Sequence, residues 1–315
     1  MMNIIFMGTP DFAVPVLQEL HSTYPVKAVV TQPDRPVGRK KKLTPPPVKV
    51  EAERLGLPVI QPEKIRLEWE TVAELKPDLI VTAAFGQILP KELLEIPQYK
   101  CLNVHASLLP KYRGGAPIHQ AIIDGESETG ITIMYMAEKL DAGDILSQKR
   151  VSIEDTDDVA SLHDKLSQIG APLLTETIAS LIDGTVTPIK QDDSKATFAR
   201  NISREMEKLD WNKGGRDLFN QIRGLCPWPV AYTTLEGQNL KIWKAELVER
   251  SSEQGKPGEI IELTDEGMVV STGDGENIKV IELQPAGKKR MDAASFNRGV
   301  GSRLSIGMRL GEYNE

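Results

Sequence analysis

Two hydrophobic rhythms alternate along the first half of the chain. Short apolar, β-rich runs occupy residues 3–7, 26–31, 59–60, 79–83, 101–105 and 132–136, and between them apolar side chains recur every three or four positions at 12–20, 48–55 and 67–75. Strand-like runs interleaved with helix-like stretches predict a parallel α/β sheet with crossover helices, a Rossmann-like domain. Pro10, Pro47 and Pro90 fall where the chain should change direction. Further on, Val159, Leu162, Leu166 and Ile169 open a three-and-four spacing that continues to residue 182, behind a cap-like Asp155-Thr156-Asp157-Asp158. That spacing predicts a long amphipathic helix packed on the sheet.

The pattern then changes character. Residues 189–206 are polar and irregular and are expected to form a linker. After one more helical stretch at 215–225, closed by CPWP, come short alternating runs (AYTTL, LKIWKAELV, GEIIEL, GMVVST, IKVIEL) broken by Gly-containing turns. Strands at such spacing predict a small antiparallel β-barrel, OB-like in type. The expected organisation is therefore an α/β domain at 1–188, the linker at 189–206, and a β-barrel domain at 207–315. A length of 315 residues agrees with two domains better than with one core.

Composition narrows the class. Hydrophobic residues at 40% and charged residues at 26% are ordinary globular values, and no stretch approaches the ~20 apolar residues of a membrane helix. The opening MMNIIFMGTP lacks a basic leader and runs directly into a turn, so it predicts a buried strand rather than a signal peptide, and a cytoplasmic address. Cys101 and Cys226 are far apart, with no CxxC or Cys/His cluster, which predicts buried thiols, no disulfide and no metal. A net charge of −7 excludes a protein that coats nucleic acid with its whole surface but leaves room for a local patch. One such patch lies at 31–54, where seven Lys/Arg face three acids. On composition alone a charge run of this kind is a solvated loop.

Ligands of open parallel sheets bind beyond the C-terminal ends of the strands, which directs attention to CLNVHASLLP. Side chains two apart in a strand project together, so Asn103 and His105 offer an amide and an imidazole at the mouth of the sheet. The turn EKLDAGDI adds Asp141 and Asp144; a carboxylate beside an imidazole orients it and favours its charged form. Spacing alone does not bring them together. His21, His119 and His163 lack such company and are taken as surface or satisfied residues. FMGTPDF resembles a strand, turn and helix start, yet GxGxxG and GxxxxGK[ST] are absent, so nucleotide binding is unsupported. Ser107 has no GxSxG elbow, and SLLP reads as a turn closing a pocket.

Taken together, NVHASLLPKYRGGAPI and MAEKLDAGDI resemble the folate-dependent formyltransferases, whose pattern is Asn-x-His followed by Leu-Asp-x-Gly-Asp. FMGTPDFAVPVL, TQPDRPVGRKKKLTPPPVK, AAFGQILP, CPWP and LQPAGKK resemble the branch acting on methionyl initiator tRNA, and these stretches span almost the whole chain. The resemblance implies 10-formyltetrahydrofolate as formyl donor, charged initiator tRNA as acceptor, and a catalytic triplet of Asn103, His105 and Asp141. In that triplet Asn103 and protonated His105 stabilise an oxyanion, while Asp141 moves a proton and keeps His105 charged, with no metal.

A pterin needs loop backbone and aliphatic walls, for which the candidates are Phe85, Gly86, Ile88, Leu89, Ser107, Leu108, Leu109 and Pro110; for the apolar ones a plain core role is the alternative. By the same resemblance Arg39, Lys40, Lys41 and Lys42 contact the acceptor stem, against the solvated loop that composition favours. In the second domain Lys241, Lys244, Lys288, Lys289 and Arg290 are candidates for an RNA-facing surface. With 16 basic against 18 acidic residues in 201–315, such a face has to be segregated. Trp211, Trp228 and Trp243 are read as packing rather than stacking residues. A monomer is expected. The competing readings are formyl transfer to a sugar amine or purine precursor, a formyl-folate hydrolase, or a noncatalytic RNA-binding protein.

Overall fold

The apolar runs become the strands of a seven-stranded sheet: β1 Ile4–Gly8, β2 Val26–Val30, β3 Val59–Ile60, β4 Leu79–Ala83, β5 Cys101–His105, β6 Glu128–Tyr135 and β7 Ile145–Ser152, in the order β7-β6-β5-β4-β1-β2-β3. These elements come from a computed structural model, which describes residues 2–38, 40–248, 255–264, 266–299 and 301–311. Every residue of β1 and β4 is buried. Central strands covered on both faces have no solvent side to alternate with, which is why their sequences are continuous apolar runs.

The five strands from β3 to β5 are parallel, whereas β6 pairs antiparallel with β5, and β7 antiparallel with β6. The sheet is therefore mixed rather than wholly parallel. β7, absent from the apolar pattern, is the edge strand, and its Gln148, Lys149 and Arg150 are exposed. An edge strand carrying charge resists pairing with other chains but has no hydrophobic rhythm to betray it.

Helices α1 (Ala13–Thr23) and α2 (Pro47–Arg54) follow the predicted stretches, α2 with Pro47 in its first turn, where a missing N–H costs nothing. The third stretch is two short helices, Ile65–Glu68 and Glu70–Ala73. The long helix α3 spans Val159–Ile182. Among the described residues no helix is long and apolar enough to cross a membrane.

The chain folds as two compact units. The first holds the residues up to Pro117, Glu128–Ser152 and His163–Ala199; the second holds Ile118–Ser127, Ile153–Leu162 and the residues from Arg200 onward. Residues 189–199, expected as linker, are instead folded into the first unit. Ile189 bridges to Ile145, and Phe198–Ala199 pairs in parallel with Arg113–Gly114. Gln191 and Ala199 are the buried residues of this stretch; its other polar residues stay exposed, and of these Asp193 and Thr197 bond to Arg113 and Tyr112. Segments 118–127 and 153–162 belong with the second unit. There Arg223 donates from Nη1 to the carbonyls of Glu154 (2.6 Å) and Asp157 (3.1 Å), and Val159 N donates to Cys226 O (3.0 Å).

The second unit is an antiparallel sheet of β8 Tyr232–Leu235, β9 Gln238–Val248, β10 Ile260–Leu263, β11 Met268–Val270, β12 Asn277–Pro285 and β13 Met291–Asp292, in the order β8-β9-β12-β11-β10 with β13 on β12. The C-terminal segment touches both edges: Leu310 N donates to Gly258 O before β10 (2.7 Å), and Gly311 N to Thr234 O in β8 (2.8 Å). Helix α4 (Gly215–Gly224) buries Leu218 and Ile222 with Trp211, Ile242 and Ile278 in one core.

Candidate active site

The C-terminal end of β5 presents Asn103 and His105 on one face, as the strand period requires. Each is held by a neighbouring element. In register with Asn103 on β4, Thr82 donates from Oγ1 to Asn103 Oδ1 at 2.8 Å. That bond engages the amide oxygen, and among the described residues Nδ2 meets no acceptor. The half-buried Asn103 thus keeps an unengaged donor.

His105 is buried, 6% exposed. Its Nε2 lies 2.9 Å from the carbonyl oxygen of Tyr112. A carbonyl only accepts, so Nε2 carries a proton, and Nδ1 is the nitrogen on the Asp141 side. Nδ1 is 3.8 Å from Asp141 Oδ2, and that same oxygen accepts from Gly114 N at 2.8 Å. Tyr112 (φ +60°), Gly114 (φ +117°) and Asp141 (φ +46°) all lie in left-handed backbone. A Cβ on Gly114 would come 2.5 Å from Ala199 O, so the close approach of Phe198–Ala199 demands glycine there.

The SLLP turn is pinned by Thr132 on β6, opposite His105 in register. Its Oγ1 donates to Ser107 O (2.6 Å) and accepts from Leu109 N (3.1 Å) and Gln148 Nε2 (2.8 Å). At the centre of the sheet, where β4 and β2 flank β1 and successive loops diverge, Thr9 Oγ1 donates to Phe85 O at 2.8 Å. This is the switch point at which open α/β sheets place ligands.

The proposed folate residues divide by burial. Phe85 and Leu89, each 4% exposed, sit in the core with Ile5, Met7 and Ile80. Leu109 packs with Met134 and Ile145. Ser107 is fully buried and its hydroxyl donates to Lys111 O at 2.7 Å, which removes it as a nucleophile. Gly86 and Ile88 are exposed, and Leu108 and Pro110 half-buried, so these four are left as accessible candidates. Asp144 is not brought to the imidazole; its carbonyl instead accepts from Tyr135 N at 3.0 Å. Burial pushes the Cys101 thiol up to about 12 and the Cys226 thiol up to about 11, so neither is a thiolate near neutrality. Among the described residues no three His, Cys, Asp or Glu side chains are grouped to hold a metal ion.

The basic loop is a hairpin, Arg35–Val37 paired with Lys42–Thr44, and all six of these residues are exposed. Lys40, Lys41 and Lys42 are exposed and make no ion pair among the described residues; Arg39 lies outside them. In the second unit Trp211 is core, with Nε1 donating to Thr233 Oγ1 at 2.9 Å. Trp243 is half-buried under the Arg290 guanidinium, 4.6 Å from its ring centre. Trp228 departs from the packing role read for it. It is 65% exposed between Pro227 and Pro229, its carbonyl taken by His119 Nε2 at 3.2 Å, which holds the backbone and leaves the ring out.

Sequence reasoning did not single out Thr82, Tyr112, Gly114 or Gln191. All four touch the triplet or its backbone; Thr82, Gly114 and Gln191 do so through contacts distant in sequence, for which local pattern carries no signal, and Tyr112 through a turn seven residues on.

Comparison with known proteins places the chain in a family. A profile of the family described as formyl transferase matches residues 2–178, and one described as formyl transferase, C-terminal domain, matches 201–301. The chain belongs to the formyl transferase family. Within it, a protein named methionyl-tRNA formyltransferase from Geobacillus sp. (strain WCH70) is 61% identical over the whole of both chains. Among solved structures, an N-formyltransferase from Helicobacter canadensis, in complex with folinic acid and dTDP-3-aminofucose, superposes with a TM-score of 0.68 at 22% identity, covering 90% of this chain and all of its own. HypX from Aquifex aeolicus in complex with tetrahydrofolic acid matches all of this chain with a TM-score of 0.63 at 18% identity, and this chain spans about half of its length. At those identities the two structures speak for the fold.

Proposed function

We infer that this chain transfers the formyl group of 10-formyltetrahydrofolate to the α-amine of methionyl initiator tRNA. The observation that carries the reading is the convergence of Asn103, His105 and Asp141 at the end of β5, in a chain 61% identical throughout to a protein of that name. The amine nitrogen attacks the formyl carbon, and the carbonyl electron pair moves onto oxygen to give a tetrahedral oxyanion. Asn103 Nδ2 is an unengaged donor for that oxygen. With Nε2–H committed to Tyr112 O, His105 donates to it from Nδ1, which requires the imidazolium. Asp141 takes the proton the amine must lose, directly or through a water. Collapse breaks the bond from carbon to the folate nitrogen, which takes up the proton held by Asp141, directly or through the same water, and leaves as N–H.

Gly86, Ile88, Leu108 and Pro110 line the folate, with Phe85, Leu89 and Leu109 supporting them from the core. The hairpin lysines Lys40, Lys41 and Lys42 meet acceptor-stem phosphates, with Arg39 in the same role by its place in the sequence. The exposed ring of Trp228 offers a base a stacking face. All three catalytic groups come from one chain, so a monomer suffices, and a tRNA substrate places the enzyme in the cytoplasm.

Formyl transfer from 10-formyltetrahydrofolate to charged initiator tRNA, charged elongator tRNA and small amines tests the reading. Transfer confined to initiator tRNA is expected; activity toward small amines only, or none, overturns it.

A further inference from the structure

The three groups of the triplet do not explain what keeps Asp141 in place. Asp141 has a left-handed backbone (φ +46°), a conformation unfavourable for a residue with a Cβ, and it lies in an irregular turn. Two hydrogen bonds from outside the turn hold it: Gln191 Nε2 donates to the carbonyls of Asp141 (2.8 Å) and Gly143 (2.7 Å). At its other end Gln191 Oε1 accepts from Arg113 Nε (3.1 Å) and Nη2 (2.8 Å). A guanidinium only donates, so Arg113 fixes which end of the amide faces the turn.

Both side chains are shielded from water, Gln191 at 7% and Arg113 at 1% exposure. The buried charge is answered by Asp193, which accepts from Arg113 Nη2 and, on its other oxygen, from Lys139 Nζ, each at 2.8 Å. Close packing leaves the turn no alternative position, since a Cβ on Gly143 would fall 1.8 Å from Tyr135 O. The same short stretch holds the imidazole side. Thr197 Oγ1 accepts from Tyr112 N and Thr197 O accepts from Arg113 N, both at 2.9 Å, which sets the carbonyl that receives His105 Nε2–H.

We infer that Gln191, oriented by Arg113, is a positioning residue for formyl transfer: it fixes the backbone that delivers the Asp141 carboxylate to Gly114 N and His105 Nδ1, and touches no reacting atom. This rests on the reading of Asp141 as a catalytic group.

The test is a double-mutant cycle on the full chain, with Gln191→Glu, Gln191→Ala, Asp141→Asn and both doubles, following kcat, both KM values and the thermal midpoint. Gln191→Glu keeps an acceptor for Arg113 but turns a second acceptor toward the two carbonyls. It is expected to lower kcat about tenfold or more, with both KM values within about twofold of the parent. In the Asp141→Asn background either change should cost less than about twofold, because the carboxylate it positions is gone. A loss that multiplies in the double, or a fall in thermal midpoint with kcat retained, assigns Gln191 a purely structural role and overturns the inference. Should Gln191→Ala fail to fold, Gln191→Glu carries the test alone. A strongly impaired Asp141→Asn beside unimpaired Gln191 variants overturns the positioning role only. Near-normal turnover of Asp141→Asn removes the catalytic reading on which it stands.

Discussion

The cleft at the end of β5 and the basic hairpin at 35–44 belong to one folded unit but are built on opposite terms. In the cleft every functional group is held from another element: Asn103 by Thr82, His105 by Tyr112, Asp141 by Gly114 and Gln191. Among the described residues the hairpin is held from other elements only at its base. Asp34 accepts from Lys49 Nζ and Gln61 Nε2, and those bonds, from Gln61 first, keep its carboxyl below the usual carboxylate range. Arg35 pairs with Glu63 in full solvent, which contributes little. Beyond that base Val37 and Leu43 stand 58% and 62% exposed. The contrast fits the two tasks proposed for them. Stabilising a developing charge depends on donors already in place when it appears, whereas binding a polyanion depends on charge number and releases counterions wherever cations meet phosphates.

Breaking the cleft should therefore act on turnover. The largest effect is expected from Asp141→Asn, which keeps shape and removes the proposed base: kcat falls about 100- to 10,000-fold with the fold intact, as steady-state kinetics and circular dichroism would show together. Next, Asn103→Ala removes one unengaged donor and should lower kcat about 100- to 1000-fold with little change in folate affinity; an effect confined to KM would make Asn103 a binding residue only.

Breaking the hairpin should act on binding instead. Replacing Lys40, Lys41 and Lys42 by Ala should raise the KM for tRNA about tenfold near physiological salt, spare the KM for folate, and leave kcat at saturating tRNA unchanged. If these lysines meet phosphates, the slope of log(kcat/KM) for tRNA against log salt should also flatten by about two to three. An unchanged slope would assign the lysines to solvent, as composition alone suggests.

What the sequence revealed of this contrast has a physical pattern. β1, β4 and β5 were legible because burial on both faces leaves continuous apolar runs, and α3 because a 24-residue helix repeats its buried stripe many times. β7 and the direction of β6 were not, since an exposed edge has no hydrophobic rhythm and antiparallel pairing is a property of connections rather than residues. Residues 189–199 were misread for a related reason: Asp193 and Thr197 are exposed, as in a linker, and it is their bonds and those of the buried Gln191 to Arg113 and Tyr112, absent from any local pattern, that tie the stretch to the first unit. Strand periodicity placed Asn103 beside His105. Only family resemblance brought Asp141 to them, and the structure puts its carboxylate within 3.8 Å of the ring through a turn that local pattern cannot encode.

The smallest expected effect sharpens the idea that cleft groups work because they are aimed. Thr82 is buried at 2% exposure, and its hydroxyl has three acceptors, Asn103 Oδ1 (2.8 Å), Leu102 O (3.1 Å) and Met136 Sδ (3.3 Å), of which Asn103 is the shortest and the one with a proposed role in turnover. In Thr82→Val the shape of β4 is kept while the donor is lost, and the Asn103 amide becomes free to present its oxygen where its N–H should be. A single hydrogen bond contributes roughly 1 kcal/mol, which predicts about a five- to tenfold drop in kcat with both KM values unchanged. Thr82→Ser retains the hydroxyl and should restore most of the rate. If the valine variant turns over like the parent, Asn103 holds its orientation without Thr82, and the cleft differs from the hairpin in burial alone. If serine rescues what valine loses, the orientation of one amide is worth a measurable part of the rate, which no residue of the hairpin should be.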